Sequence, residues 1–332
     1  MIGLVINELN QRKLKPFKIM HSKLKNSQKF LGLFLSAIVL FATSCSDDDP
    51  MPMEPEDKNV VELAISDSRF TTLVLAVQRA GLVDALSADG PFTIFAPTNQ
   101  AFIDAGITDV NDVSEDDLKD ILLYHVVDAD VPSSAVSSGS VTSLEGSPFY
   151  VSISTDDKVW INGNAEITET DLEASNGVIH VIDNVLMKPT MSIAGIATDF
   201  SQSATPEFTQ LVGALSRAGL VDAVYGGMDD DLTVFAPTDA AFIQLYDDLG
   251  VTGYEDIPLE TLENVLLYHV VPARAFSQDL RDAAELPTLL ANETLTVDLS
   301  GLKIEEANLN TDLLNVHATN GVIHVIDKVM LP

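Results

Sequence analysis

The chain has 332 residues, 46% of them hydrophobic, and a formal charge of −32 from 18 Lys and Arg against 50 Asp and Glu. The composition is that of a globular protein, and the length suits about two domains of ordinary size. Such acidity is repelled by phosphate backbones and excludes nucleic acid as a partner. The single cysteine excludes both an internal disulfide and a zinc site built on several thiolates.

The charge is unevenly spread. Residues 1–44 hold seven basic residues, from Arg12 to Lys29, and one acid, Glu8. They lead into Phe30–Thr43, an apolar run of 14 residues, where a membrane-spanning helix needs about 20. A basic segment, a short apolar run and then small residues describe a secretory leader, with Met1 or Met20 as its start. Cys45 follows Ala42-Thr-Ser44 directly. The stretch resembles a bacterial lipoprotein signal, although its usual Leu is displaced to Leu40. The resemblance implies a signal peptide over 1–44, lipid attachment at Cys45 and anchoring to a membrane. Residues 45–59 are rich in Pro and acids and read as a tether. Within them Ser46–Asp49 resembles the acidic stretch of surface-exported lipoproteins of Bacteroidetes-type bacteria, and reads equally as a solvated charge run. The expected location is the cell envelope, as an outer-membrane lipoprotein at the cell surface; periplasmic and outer faces both stay open.

The remainder is one unit written twice. Phe70–Leu86 matches Phe208–Val224 at 12 of 17 positions, and Thr93–Ile103 matches Thr233–Ile243. Leu122–Val127 recurs unchanged as Leu266–Val271, and Asn176–Asp183 as Asn320–Asp327. A repeat of roughly 140 residues is domain-sized, beyond solenoid periods of about 20–50. Two tandem domains are expected, over 60–189 and 191–332. Each opens with a helix whose apolar residues (Phe70, Leu73, Val74 and Val77 in the first) recur at helical spacing, stopped by Gly81. A buried strand, Phe92–Ala96, ends at Pro97. Thr98 and Ser114 cap two further helices. Alternation at Phe149, Val151 and Ile153, and again at Val159 and Ile161, predicts strands. Val178–Ile182 closes the unit as a fourth. Helices first and strands later indicate an α+β fold.

Thr-x-Phe-Ala-Pro-Thr-x-x-Ala-Phe, Leu-Tyr-His-Val-Val and Asn-Gly-Val-Ile-His-Val-Ile-Asp, in that order and duplicated, resemble the fasciclin domain over nearly all of 60–332. The resemblance implies two tandem fasciclin domains, each a wedge-like β-sheet or sandwich core covered by helices. It also implies non-catalytic extracellular adhesion, with a matrix or cell-surface protein or polysaccharide as partner and no cofactor. A second reading is a polysaccharide-binding accessory lipoprotein of a glycan uptake system.

Among candidate site residues, Tyr124-His125 and Tyr268-His269 stand out. In fasciclin-domain proteins of animals a Tyr-His flanked by aliphatics is associated with integrin binding; flanked as they are here by Leu and Val, the pairs read equally as core anchors. His180 and His324, inside apolar strands, read as hydrogen-bonded core histidines. His317 has Glu173 as its counterpart and so is not a shared feature. No motif points to catalysis or to a resident metal. Met228–Asp231 resembles half of a calcium loop. With Glu115–Asp117 and Asp247-Asp248 it predicts weak, millimolar-range calcium dependence of adhesion.

Overall fold

The computed structural model describes residues 57–222 and 231–332. The first unit begins with α1 (Val60–Ser66), which the repeat pattern leaves unassigned. At seven residues it is too short for periodicity to reveal, and its start is fixed by a capping box. The Asn59 side chain accepts from the Val61 and Glu62 N–H groups, and the Glu62 carboxylate accepts from the Asn59 N–H. The expected first helix is α2 (Thr71–Arg79), burying Leu73, Ala76 and Val77. It ends where Gly81 turns to φ +67°, a left-handed conformation that costs glycine little. A short α3 (Val83–Leu86) leads to β1 (Phe92–Pro97), buried along its whole length. Thr98 caps α4 (Asn99–Asp104) through a 3.2 Å bond from the Ala101 N–H. Ser114 caps α5 (Glu115–Tyr124) through one of 3.1 Å from the Asp117 N–H.

The strands that follow are β2 (Val126–Val127), β3 (Gly139–Thr142), β4 (Pro148–Ile153), β5 (Val159–Ile161), β6 (Ala165–Ala174) and β7 (Gly177–Ile182). They form one seven-stranded sheet in the order β2-β1-β7-β6-β5-β4-β3. Pairing is antiparallel except between β1 and β7, the first and last long strands of the unit. Two register shifts in β6, between Ile167 and Glu169 and between Glu169 and Leu172, break its ladder with β7.

The second unit repeats this plan with α6 (Ile193–Ser201), α7 (Thr209–Ala218), β8 (Leu232–Pro237), α8 (Asp239–Leu249), α9 (Leu259–Tyr268) and β9 (Val270–Val271). Its later strands are β10 (Glu285–Pro287), β11 (Thr294–Asp298), β12 (Lys303–Ile304), β13 (Ala307–Asn308), β14 (Val316–Ala318) and β15 (Gly321–Ile326). The long β6 of the first unit corresponds to the separate β13 and β14, so the second unit has two four-stranded sheets, β10-β11-β12-β13 and β14-β15-β8-β9. Helices and sheets are mixed in each unit as the α+β expectation requires. One apolar cluster lies between helices and central strands, centred on Phe70, Phe102 and Leu118 in the first unit and on Phe208, Phe242 and Leu262 in the second. A smaller cluster around Phe149 and Ile161, or Leu295 and Ile304, fills the opposite side.

The repeated Asn-Gly before each closing strand has a steric and a hydrogen-bonding cause. A Cβ at Gly177 would lie 1.9 Å from the Phe92 carbonyl oxygen, and one at Gly321 would lie 2.0 Å from that of Leu232. Their φ angles are +154° and +155°, so glycine is required twice over. The Asn176 side chain ties the first helix to the sheet: it accepts from the Val60 N–H and donates to Leu86 and Ala88 carbonyls. Asn320 accepts likewise from the Ile193 N–H.

Candidate interaction surface

The Tyr–His pairs end α5 and α9, and all four side chains are buried. The Nδ1 of His125 donates to the Ile121 carbonyl one turn back (2.7 Å), while its Nε2 accepts from the Leu186 N–H at 2.8 Å. His269 does the same with Val265 and the Met330 N–H, at 2.7 and 3.0 Å. Both imidazoles are therefore neutral, and burial lowers both to about 4. Each clasps the end of a helix to the segment after the closing strand, 61 residues on. Tyr124 donates to the Pro148 carbonyl and accepts from the Asn162 amide, and Tyr268 donates to the Thr294 carbonyl. In this arrangement all four rings face the interior, not the surface at which ligand binding was expected of them. Cys45 and Met228–Asp230 lie outside the described residues. Glu115–Asp117 and Asp247-Asp248 are exposed.

The strand histidines anchor a second pair of loops. His180 Nδ1 accepts from the Asp171 N–H at 3.3 Å, and its Nε2 donates to the Val131 carbonyl at 2.9 Å. His324 repeats both bonds with Asn315 and Ala275 at the same distances, and burial lowers it to about 4. Asp171 and Asn315 are both left-handed, with φ +59° and +56°. Each accepts from a serine N–H, Ser133 or Ser277, at 2.8 Å. The two domains thus carry the same loop clamp with a carboxylate in one and an amide in the other.

That difference supplies one of the bonds that join the domains. Asn315 Nδ2 crosses to the Gly163 carbonyl of the first domain at 2.8 Å, and Gln278 Nε2 reaches the same oxygen at 3.0 Å. Ser152 donates to the Asp279 carboxylate at 3.0 Å, and Arg281 donates to the Ile153 carbonyl at 2.9 Å. Tyr150 inserts against the second domain: the Arg274 guanidinium lies 4.2 Å from its ring centre, and Phe276 and His317 pack beside it. Arg274 is held by Asp231 at 2.8 Å and by the Ala318 and Gly321 carbonyls. Neither ring nitrogen of His317 meets solvent or a partner among the described residues. Burial, reinforced by Arg274, lowers it to about 3 and keeps it neutral. These contacts escape a reading that looks for what the repeats share. Their signal is where the repeats differ: Asp130 against Arg274, Pro132 against Phe276, Asp171 against Asn315, Glu173 against His317.

Among the described residues no group of three His, Cys, Asp or Glu is placed to hold a metal ion, and no helix is long and apolar enough to cross a membrane. A family model described as the fasciclin domain matches residues 68–188 and 206–332. Protein sll1483 of Synechocystis sp. is 46% identical over 134 residues, covering 39% of this chain and 73% of that protein. Human periostin is 27% identical over 289 residues, covering 83% of this chain and 31% of periostin. A solved FAS1 domain pair from the insect cell adhesion molecule fasciclin I aligns with 79% of this chain and 97% of that one, at 18% identity and a TM-score of 0.34.

Proposed function

The chain belongs to the fasciclin-domain family, and from that premise we propose that it is a lipid-anchored extracytoplasmic protein that binds a surface or matrix polymer without catalysis. The observation that carries the reading is the pairing of two fasciclin units with a leader whose apolar run stops at the sole cysteine. In the proposal residues 1–44 are removed, Cys45 bears the lipid, 45–59 form the tether, and 60–189 and 191–332 are the two binding domains at the outer membrane surface of a Bacteroidetes-type cell. Tyr124, His125, Tyr268 and His269 serve binding indirectly, by fixing the segments over them. Exposed carboxylates at Glu115–Asp117 and Asp247-Asp248 supply loose calcium bridges to anionic polymers.

The test is an array of matrix proteins and polysaccharides probed with the purified chain, with and without chelator. Binding that weakens in chelator, with no change in the arrayed polymer, is the expected result. Binding confined to polysaccharides would favour the glycan-uptake reading. Cleavage of any polymer, or no binding at all, would overturn the proposal.

A further inference from the structure

The internal repeat lets one domain show what the other lacks. In the second domain the positions Arg274, Phe276, Asn315 and His317 are covered by the first domain's Tyr150 and Gly163. In the first domain the same positions are Asp130, Pro132, Asp171 and Glu173, and here an open cleft of about 710 Å³ remains. Among the described residues its lining carries four carboxylates, of Asp89, Asp130, Asp171 and Glu173, with no Lys or Arg. The second domain thus displays a docked partner at the very positions that no described residue covers in the first.

We propose that this cleft of the first domain docks a basic segment of another protein, presenting Lys or Arg donors beside an apolar or aromatic side chain. The chemistry follows from the exchange of Asn315 for Asp171. Asn315 uses one side-chain atom to accept from Ser277 and the other to donate across the interface to a carbonyl. Asp171 keeps the first role with Ser133, but its second oxygen is an acceptor, occupied in part by the Ser133 hydroxyl. Those two bonds to Ser133 hold Asp171 below the usual carboxylate range, so it is ionised at neutral pH. A partner must therefore bring donors, where the second domain's partner brings a carbonyl. With four negative charges around it, the donor is cationic. No three of these carboxylates are gathered for a metal ion, which favours side-chain cations spread along a segment.

Another copy of this chain is a poor occupant. The second domain's counterpart of the docking edge is found by matching interactions. Phe149 and Leu295 fill the same core position, so Tyr150 corresponds to Thr296 and Ser152 to Asp298. Asn162 and Glu305 each accept from the N–H of residue 150 or 296, so Gly163 corresponds to Glu306. Head-to-tail association would set Asp298, Glu305 and Glu306 against Asp130, Asp171 and Glu173. Lys328 pairs with Glu306 and Lys303 lies across the strand pair from Asp298, so two of these charges are offset; one uncompensated carboxylate still faces an all-acidic cleft, and the contact is net repulsive.

The inference deepens the binding function proposed above and rests on it. The test titrates the full-length protein, purified in detergent, with the peptide acetyl-Gly-Arg-Tyr-Lys-Arg-Gly-amide and with a version carrying Glu at each basic position. The basic peptide is expected to bind one per chain, weaken with added salt, and lose about tenfold in affinity in the Asp171→Asn/Glu173→Gln variant, a ratio of the size one charge-assisted contact gives. Asp171→Asn imports the residue the second domain already uses, so the Ser133 clamp survives; Asp130→Asn, at an exposed position, is the alternative where the double variant misfolds. Failure of the basic peptide to bind, equal binding to the variant or equal binding of the Glu peptide overturns the docking site. So does displacement of the peptide by calcium alone, or self-association that Asp130→Asn abolishes. Polymer binding on the array that persists through any of these leaves the broader function standing and removes only this site.

Discussion

Asn315→Asp separates the strength of the domain junction from the strength of the domains. Asn315 is 5% exposed and donates to the Gly163 carbonyl at 2.8 Å and to the Ser277 hydroxyl at 2.9 Å, while accepting from the Ser277 N–H at 2.8 Å. Aspartate keeps the accepting bond, as Asp171 does in the first domain. It replaces the donor with an oxygen facing the Gly163 carbonyl and the Gln278 side-chain oxygen, which now lies 3.3 Å away as an acceptor. The lost charge-neutral bond and the acceptor–acceptor contact cost about 1–3 kcal/mol, and burying the new charge adds to it. Within the second domain the Ser277 hydroxyl can turn to donate to the new carboxylate, as Ser133 does to Asp171, so most of the cost falls on the junction. Scanning calorimetry should therefore change from coupled melting to two separated transitions, with the second domain's own transition little moved, and small-angle scattering should show a wider spread of interdomain distances. A variant that melts and scatters like the parent would refute the assignment of the Asn315–Gly163 bond as a main tie of the junction.

His125→Ala and His269→Ala should each lower the melting temperature of their own domain only, because each leaves a buried N–H (Leu186 or Met330) without its acceptor at about 1–3 kcal/mol; calorimetry of the pair checks this. His180→Ala and His324→Ala should act the same way through the Val131 and Ala275 carbonyls, and a variant that melts like the parent but loses binding would make these residues part of a site. The imidazoles of His125, His269 and His324 should stay neutral down to about pH 4 by NMR titration. Their folded values lie below the ordinary value near 6.5, so the unfolded chain takes up protons first. Their contribution to stability is complete above about pH 6.5 and is lost as pH falls toward 4, at no more than about 3 kcal/mol per ring. Ring protonation near pH 6.5 with the fold intact would contradict the buried placement.

The sequence makes the shared scaffold legible because the same physical demands are imposed twice. Gly81 and Gly219 occupy left-handed turns, Thr98 and Thr238 cap helices, and the strand histidines are satisfied by backbone on both sides. Asp183 and Asp327, just past the closing strands, accept from the Glu166 and Asn308 N–H groups alike. Three features were hidden. The short α1 owes its start to one capping box rather than to a long apolar stripe. The parallel pairing of β1 with β7 joins segments some 85 residues apart, which no local pattern encodes. The junction is built from side chains present in one copy and absent from the other, so a search for common motifs passes over Arg274, Phe276 and Asn315. Glu173 against His317 is a discrepancy the sequence displays, but the place of His317 beside Tyr150 follows from the tertiary fold.

The proposed anchored binding function meets its most direct test in bead adhesion by bacterial cells expressing either the parent or Cys45→Ala, with membrane fractions washed in high salt. Acyl chains supply about 0.8 kcal/mol per buried CH₂, and the acidic body adds no attraction to anionic lipid. Parent cells should hold beads coated with a polymer selected on the array, with the protein in the washed membranes. Cys45→Ala cells should release a folded protein to the soluble fraction and hold no beads. Cys45→Ala protein that stays in the washed membranes, or cells that adhere equally in both forms, would contradict it.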